Sequence, residues 1–179
     1  IEEFSVEYES RNYRLLLHKV GFEQVRKQTD IIEGLEQRHT LAAVYLFDET
    51  NLQAAIQTTE DEKPVIGLIY LDNYEEALGT VEEVRRSLLI ALVDRKINKY
   101  FAALDGLVKK LEKDRYFLVM PHRCLDKLKE VKFSILEEVK NVNIGNEMAV
   151  TLSIGIGLNG SGYNQNYEQS QIAIEMALG

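Results

Sequence analysis

Two aspartates, Asp72 and Asp114, are the residues of this chain best suited to metal and phosphate chemistry. Asp72 directly follows the uncharged run Pro64–Leu71, and Asp114 lies in a charged stretch at 112–115 between two apolar runs. If these two points meet, both carboxylates could bind one divalent cation together with a nucleotide triphosphate. The alternative is that both are ordinary turn residues, because aspartate is common in turns for its local hydrogen bonds.

The remaining motifs offer weaker chemistry. Residues 155–160 spell G-x-G-x-x-G, but no helix is expected to open at the third glycine, so we interpret these as strand-end and loop glycines. The three histidines lack metal-ligand spacing, and Cys124 is predicted to be a packing residue rather than a nucleophile. Ser153 lies within a predicted strand and not at a nucleophile elbow, so acyl transfer has no support.

The composition limits the classes of protein that the sequence can encode. The chain has 179 residues, a net charge of −8 and no basic tract, which argues against a nucleic-acid-binding surface. A single cysteine excludes an internal disulfide and suits a reducing cytoplasm. No apolar run approaches the roughly 20 residues that a membrane-spanning helix needs. Since the sequence begins at Ile1, we expect it to be a fragment of a longer protein.

From residue 64 onward the predicted elements follow a regular order. They are a strand at Pro64–Leu71, a helix over 81–104, a hairpin of strands 107–111 and 116–120, a helix over 125–139, a strand at 148–158 and a helix from about 166 to 178. This β-α-β-β-α-β order with an added helix predicts a ferredoxin-like α+β fold, in which an antiparallel sheet carries helices on one face.

Capping and periodicity predict how the two longer helices begin and pack. Thr80 and Glu83 have the spacing of a capping box, which predicts the start of the first helix. The apolar residues expected to face inward are Val81, Val84, Leu88, Leu92, Ile97, Phe101 and Leu104 in the first helix, and Leu128, Val131, Ile135, Leu136 and Val139 in the second.

The first sixty residues are predicted to form a separate, smaller segment. Residues 4–20 read as two strands joined by a turn at 9–12, residues 21–38 as a helix, and residues 40–47 as a third strand. Residues 51–63 are polar and acidic, so we interpret them as a connector.

Several stretches resemble the GGDEF domain, the fold of diguanylate cyclases. IYLDNY stands where that family has its D-x-D-x-F strand end, and VTLSIGIG stands at its T-x-S-x-G strand. Residues 61–76, 132–139 and 151–157 are similar to the degenerate GGDEF domain of GdpP-type cyclic-di-AMP phosphodiesterases, and residues 41–53 to the end of a PAS domain. The resemblance therefore implies two domains, the C-terminal part of a PAS-like domain with a linker at 1–60 and a degenerate GGDEF domain at 61–179.

The sequence departs from the family where an active cyclase needs its chemistry. Tyr70 occupies the position of a metal-binding aspartate, and Glu112 and Lys113 replace the two signature glycines. The guanine-reading positions hold Leu78 and Ser87. Only Asp114 matches a metal ligand, so the resemblance implies that cyclic-di-GMP synthesis is lost. A working diguanylate cyclase and a purely structural relay remain the alternatives.

The resemblance also implies ligands and partners. We expect a nucleotide, ATP with slow hydrolysis, to bind with Mg²⁺ held by Asp72 and Asp114. The implied nucleotide contacts are the Leu71 backbone, Asp72, Asn73, Lys113, Asp114 and Arg115. The family order places two membrane helices and the PAS domain before this segment and a DHH/DHHA1 hydrolase after it. A homodimer at the cytoplasmic face of the membrane is also expected.

Overall fold

The computed structural model describes residues 1–21, 40–158 and 160–178. The chain divides into two compact units, Ile1–Thr59 and Glu60–Gly179. The helix predicted over residues 21–38 lies outside the described residues, except for Gly21, which ends a strand. Within the described residues, no helix is both long enough and apolar enough to cross a bilayer.

The first unit contains a three-stranded antiparallel sheet. Its strands are β1 (Glu2–Tyr8), β2 (Arg11–Gly21) and β3 (Thr40–Asp48), in that spatial order. Glu9 and Ser10 join β1 to β2 with φ values of 48° and 60°, as expected for a two-residue hairpin turn that matches the twist of its strands. The three predicted strands are confirmed.

Residues 50–62 form a helix, α1 (Thr50–Glu62), where the sequence analysis predicted a connector. The prediction was wrong because it weighed the polarity of the stretch above its helix-forming residues and its lack of glycine and proline. The Asp48 carboxylate accepts hydrogen bonds from the Thr50 amide (3.0 Å) and hydroxyl (2.6 Å), which fixes the chain where α1 begins. These bonds lower the pKa of Asp48.

The second unit is built on a four-stranded antiparallel sheet. Its strands are β4 (Pro64–Leu71), β5 (Leu107–Lys110), β6 (Arg115–Pro121) and β7 (Leu152–Gly157). The spatial order is β5-β6-β4-β7, so β4 pairs with β6 on one side and β7 on the other. This order confirms the predicted ferredoxin-like arrangement.

Within its described residues the second unit has five further helices: α2 (Tyr74–Gly79), α3 (Glu83–Ala102), α4 (Arg123–Glu130), α5 (Ile135–Lys140) and α6 (Tyr163–Leu178). The main core lies between the sheet and α3, α4 and α5. Its most deeply buried residues are Ile69, Ala77, Ile97, Phe101, Leu118, Leu128, Ile135 and Val139, each at 0% exposure.

The last helix, α6, packs on the opposite face of the sheet, which corrects the prediction that all helices share one face. Side chains alternate along a strand, so Leu68 and its β7 partner Gly155 face away from the main core. A Cβ atom on Gly155 would overlap the carbonyl oxygen of Ser170, and one on Gly157 would overlap that of Asn166. These glycines let the backbone of α6 lie directly on β7.

The predicted capping box does not form. Thr80 ends α2, where its hydroxyl donates to the Ala77 carbonyl (2.8 Å), and α3 begins at Glu83 without a side-chain cap. The sequence analysis missed the short helix α2. Thr80 forms the end of α2 and therefore does not cap α3. The prediction failed because the motif specifies a local hydrogen-bond pattern, not which helix will use it.

The predicted inward faces of both longer helices need correction. In α3 the buried residues are Leu89, Val93, Ile97 and Phe101, while Val84 is 92% exposed and Leu88 52% exposed. The predicted helix over 125–139 is two helices, because Lys132 and Phe133 adopt left-handed φ values of 48° and 53°. Val131, at this break, is 51% exposed.

Candidate functional site

The exit of β4 and the tip of the β5–β6 hairpin lie side by side. The Leu71 amide donates a hydrogen bond to the Asp114 carbonyl (2.8 Å), and the Asp72 amide donates to the Thr151 carbonyl (3.0 Å). The first bond continues the β4–β6 register, which pairs Tyr70 with Arg115. Asp72 and Asp114 are therefore brought to the same end of the central strand.

The hairpin tip is a short, charged turn. The Leu111 and Glu112 amides both donate to the Arg115 carbonyl, at 2.8 and 3.3 Å. The side chain of Lys113 is 79% exposed, and its Nζ lies 4.0 Å from an oxygen of Glu75. Lys113 is thus the cation of the tip most open to an incoming phosphate group.

The Arg115 side chain packs on Tyr70, its partner residue on β4. Its guanidinium carbon lies 4.8 Å from the centre of the Tyr70 ring, within cation–π range. Its Nε lies 3.8 Å from a carboxylate oxygen of Glu112 and 4.0 Å from one of Asp114. The position that the resemblance assigns to a metal-binding aspartate therefore holds an aromatic ring beneath a guanidinium.

Asn73 fixes the end of the site nearest β7. Its Nδ2 donates to the Ala149 carbonyl (2.8 Å), and its Oδ1 accepts from the Thr151 amide (2.9 Å). Both polar atoms of the Asn73 amide have backbone partners. This side chain therefore connects the residue that follows Asp72 to the segment just before β7. Its side chain is better placed to position Asp72 than to read a ligand.

The donor groups at the strand exit can hold Mg²⁺ only with help from a ligand. Within the described part of the chain, no three His, Cys, Asp or Glu side chains are grouped to hold a metal ion. Asp72 is exposed and Asp114 is partly buried, and these are the two carboxylates that the sequence analysis assigned to the cation. Mg²⁺ needs near-octahedral oxygen coordination, which the phosphates of a nucleotide and water would have to complete.

A buried tyrosine, missed in the sequence analysis, ties the hairpin to α3. The Tyr116 hydroxyl donates to a carboxylate oxygen of Asp94, and Lys110 Nζ lies 3.0 and 3.2 Å from the two oxygens of Asp94. Burial, followed by this hydrogen bond and the charge of Asp94, raises the pKa of Tyr116. The available signal was one acid, Asp94, directly after the apolar run IALV (90–93).

A separate groove of about 860 Å³ lies between α3, α4 and α5. Its cationic lining residues are Arg95, Lys96, Lys99 and Lys127. None of the six residues assigned to the nucleotide site lines this groove. The sequence analysis did not predict it, because its cations come from two helices whose spacing along the chain carries no motif.

Comparison with known proteins agrees with the fold and with the family resemblance. A family model described as cyclic-di-AMP phosphodiesterase GdpP-like, GGDEF domain, matches residues 69–179. The chain is 31% identical over 153 residues to the cyclic-di-AMP phosphodiesterase GdpP of Geobacillus thermodenitrificans, covering 86% of this chain and 23% of that protein. It is 29% identical over 136 residues to GdpP of Bacillus subtilis, covering 76% of this chain and 21% of that protein.

A solved structure supports the same fold. The FimX GGDEF domain from Pseudomonas aeruginosa aligns with a TM-score of 0.55 at 15% identity, covering 72% of this chain and 83% of that one. At this identity the match concerns the fold alone. The chain spans less than a quarter of the two GdpP relatives, so most of each relative lies outside the matched region.

Proposed function

Because the chain belongs to the GdpP-like GGDEF domain family, we propose that it is the regulatory segment of a membrane-anchored cyclic-di-AMP phosphodiesterase. In this proposal residues 1–60 are the end of a PAS-like domain, and residues 61–179 are a degenerate GGDEF domain at the cytoplasmic face of the membrane. In this proposal the hydrolytic DHH/DHHA1 domain belongs to a part of the parent protein outside these 179 residues. Two observations support this division: the GdpP relatives extend far beyond the match, and this sequence contains no Asp-His-His motif.

The degenerate domain binds ATP with Mg²⁺ at the exit of β4 and hydrolyses it slowly. The observation that carries this proposal is the hydrogen bond from the Leu71 amide to the Asp114 carbonyl, since it joins the strand exit to the hairpin tip. Lys113 contacts phosphate, and Asp72 and Asp114 contact the cation. Arg115 and Asn73 hold the site together through their own protein contacts.

The charge around the site makes Mg²⁺ a requirement for nucleotide binding. Asp72, Asp114, Glu75 and Glu112 lie at or beside the strand exit and hairpin tip. A triphosphate brought to these carboxylates without a cation would meet like charge on most sides. We therefore expect ATP alone to bind far more weakly than ATP with Mg²⁺.

Calorimetric titration of the 179-residue chain tests the ligand site. We expect saturable binding of ATP with Mg²⁺ below millimolar ligand, and loss of binding in EDTA. Lys113→Ala should weaken binding, whereas the matched variant Lys109→Ala, an exposed lysine on β5 of the same hairpin, should not. Absence of any binding at millimolar ATP with Mg²⁺ would reject the nucleotide site.

A working diguanylate cyclase is the enzymatic alternative. It would need two metal carboxylates and a glycine-lined approach for the nucleotide, whereas this site has the Tyr70 ring and the side chains of Glu112 and Lys113. We expect no cyclic-di-GMP when the chain is incubated with GTP and Mg²⁺. Detection of that product by chromatography would favour the cyclase.

A purely structural relay is the non-enzymatic alternative. In a relay, Asp72 and Asp114 would be ordinary turn residues, and the domain would pass a signal to the hydrolase without binding a nucleotide. The full-length parent carrying Asp72→Ala and Asp114→Ala distinguishes the two ideas. If replacing both aspartates leaves the regulation of the phosphodiesterase rate intact, the relay is correct and the nucleotide site is not.

A further inference from the structure

The groove between α3, α4 and α5 has the size and the lining of a small-molecule site. Its volume of about 860 Å³ falls within the roughly 300–1,000 Å³ of ligand pockets, which are mostly apolar with a few placed polar groups. Its lining residues with apolar or aromatic side chains are Leu92, Tyr100, Ala103, Leu104, Val131 and Val142. The groove therefore presents apolar surface that a ligand of matching shape would remove from water.

Two side-chain contacts show how the helices line the groove. Lys96 Nζ lies 3.8 Å from a carboxylate oxygen of Glu138. The Ser134 hydroxyl donates a hydrogen bond of 3.2 Å to the Tyr100 hydroxyl. A step of four residues forward along α3 thus matches a step of four residues back along the segment that contains α5, so the two run antiparallel. Residues 92–103, from α3 to its C-cap, extend along the groove for about 16 Å, which is enough for a fused ring system or an acyl chain.

Cations outnumber acids around the groove, although the chain as a whole has a net charge of −8. Its charged lining residues are the cations Arg95, Lys96, Lys99 and Lys127 and the acids Glu130 and Glu138. Lys96 is paired with Glu138. Among the residues that the structure describes, no acid forms an ion pair with Arg95, Lys99 or Lys127. These three cations are available to a negatively charged ligand.

We propose that the groove binds a small amphipathic anion, in which a phosphate, sulfonate or carboxylate group is joined to an aromatic or aliphatic body. Arg95, Lys99 and Lys127 receive the anionic group, because hydrogen bonds between ionised partners are the stronger kind. The body covers the apolar lining, and its burial adds affinity that an inorganic anion cannot gain. None of the six residues assigned to nucleotide binding lines the groove, so the inference does not rest on the proposed function.

Fluorescence titration with anilinonaphthalene sulfonate tests the groove in the 179-residue chain, without ATP or Mg²⁺. This dye joins a sulfonate to an aromatic body, and its emission rises in apolar surroundings. We expect one saturable site with a dissociation constant on the order of tens of micromolar, typical for a ligand of about 20 non-hydrogen atoms.

Competition with the dye identifies the chemistry that the groove selects. Naphthyl phosphate represents aromatic ligands and dodecyl phosphate represents acyl-chain ligands, and the stronger competitor of the two identifies the preferred body. Naphthol and inorganic phosphate each carry one half of the chemistry and should not displace the dye at the same concentrations. Displacement by neither organic phosphate, or equal displacement by inorganic phosphate, would overturn the proposal.

Matched substitutions locate the binding at the groove. Lys99→Gln and Lys127→Gln should each weaken dye binding about threefold, the size expected for an exposed charge contact. The exposed Lys109 lies outside the groove, so Lys109→Gln should bind as the unmodified chain does. Ala103→Phe places a ring in the groove and should weaken binding at least about tenfold, because the ring takes the apolar surface that the ligand would bury.

Ala102→Phe is the control for the inserted ring. Ala102 is exposed at the end of α3 and does not line the groove, and circular dichroism checks that both variants keep the fold. Equal dye binding by Ala102→Phe and Ala103→Phe would overturn the proposal. Equal binding by the three lysine variants would also overturn it.

Discussion

Replacing Gly155 by alanine should detach α6 from the sheet. An added Cβ atom would overlap the Ser170 carbonyl oxygen and crowd the Ile174 amide nitrogen, and neither backbone atom can move unless the helix moves. Overpacking of this kind costs about 1–3 kcal/mol. Displacement of α6 also uncovers the Ile174 side chain, which is 1% exposed and is worth about 1.5–3 kcal/mol when buried. We expect the free energy of unfolding of the second unit to fall by about 3 kcal/mol, at the upper end of the overpacking range.

Urea unfolding followed by circular dichroism measures this loss, and Gly79→Ala is the matched control. Gly79 ends α2, and a Cβ atom added there would meet nothing within 4 Å. That variant should be neutral or stabilised by about 0.4–1 kcal/mol, because alanine restricts the unfolded chain. If Gly155→Ala unfolds at the same urea concentration as the unmodified chain, the close packing of α6 on β7 is wrong.

Two further predictions concern the hydrogen bonds that support the site. Because the pKa of Tyr116 is raised in the folded state, its stabilising contribution is complete below its unfolded pKa of about 10 and is lost as pH rises above it. Stability should therefore decline in alkali, and absorbance titration should show a late-ionising tyrosine that is absent from Tyr116→Phe; a stability decline of equal size in that variant would contradict this. Asn73→Ala removes two hydrogen bonds to the backbone near β7 and should cost about 2 kcal/mol in urea unfolding. An unchanged unfolding midpoint would show that these two bonds do not hold the strand exit.

The central strand and the order of the elements could be predicted because they depend on local composition. The run Pro64–Leu71 is uncharged because β4 pairs on both sides and is covered on both faces, so the pattern does not depend on which helix covers it. The hairpin tip at 112–115 was visible as a charged break between two apolar runs. The proximity of Asp72 and Asp114 followed from that order once the ferredoxin-like topology was assumed.

The wrong predictions for the start and the inward face of α3 have one physical cause. A capping box, an apolar position or a glycine states a local preference, and several tertiary arrangements can satisfy the same preference. Thr80 serves the end of α2 instead of the start of α3. Val84 has the apolar character of a buried residue, yet it lies on the outward face because the sheet contacts the opposite side of α3.

The sequence by itself therefore determined the strand order and the family, and it places Tyr70, Glu112 and Lys113 at the positions where the resemblance expects cyclase residues, because these depend on residue type along the chain. Only the tertiary structure decided which face of the sheet α6 covers, that Tyr116 bonds to Asp94, and that Arg115 lies over Tyr70. Each of these contacts joins residues from different elements, and their distance depends on how the elements pack rather than on the spacing of their residues.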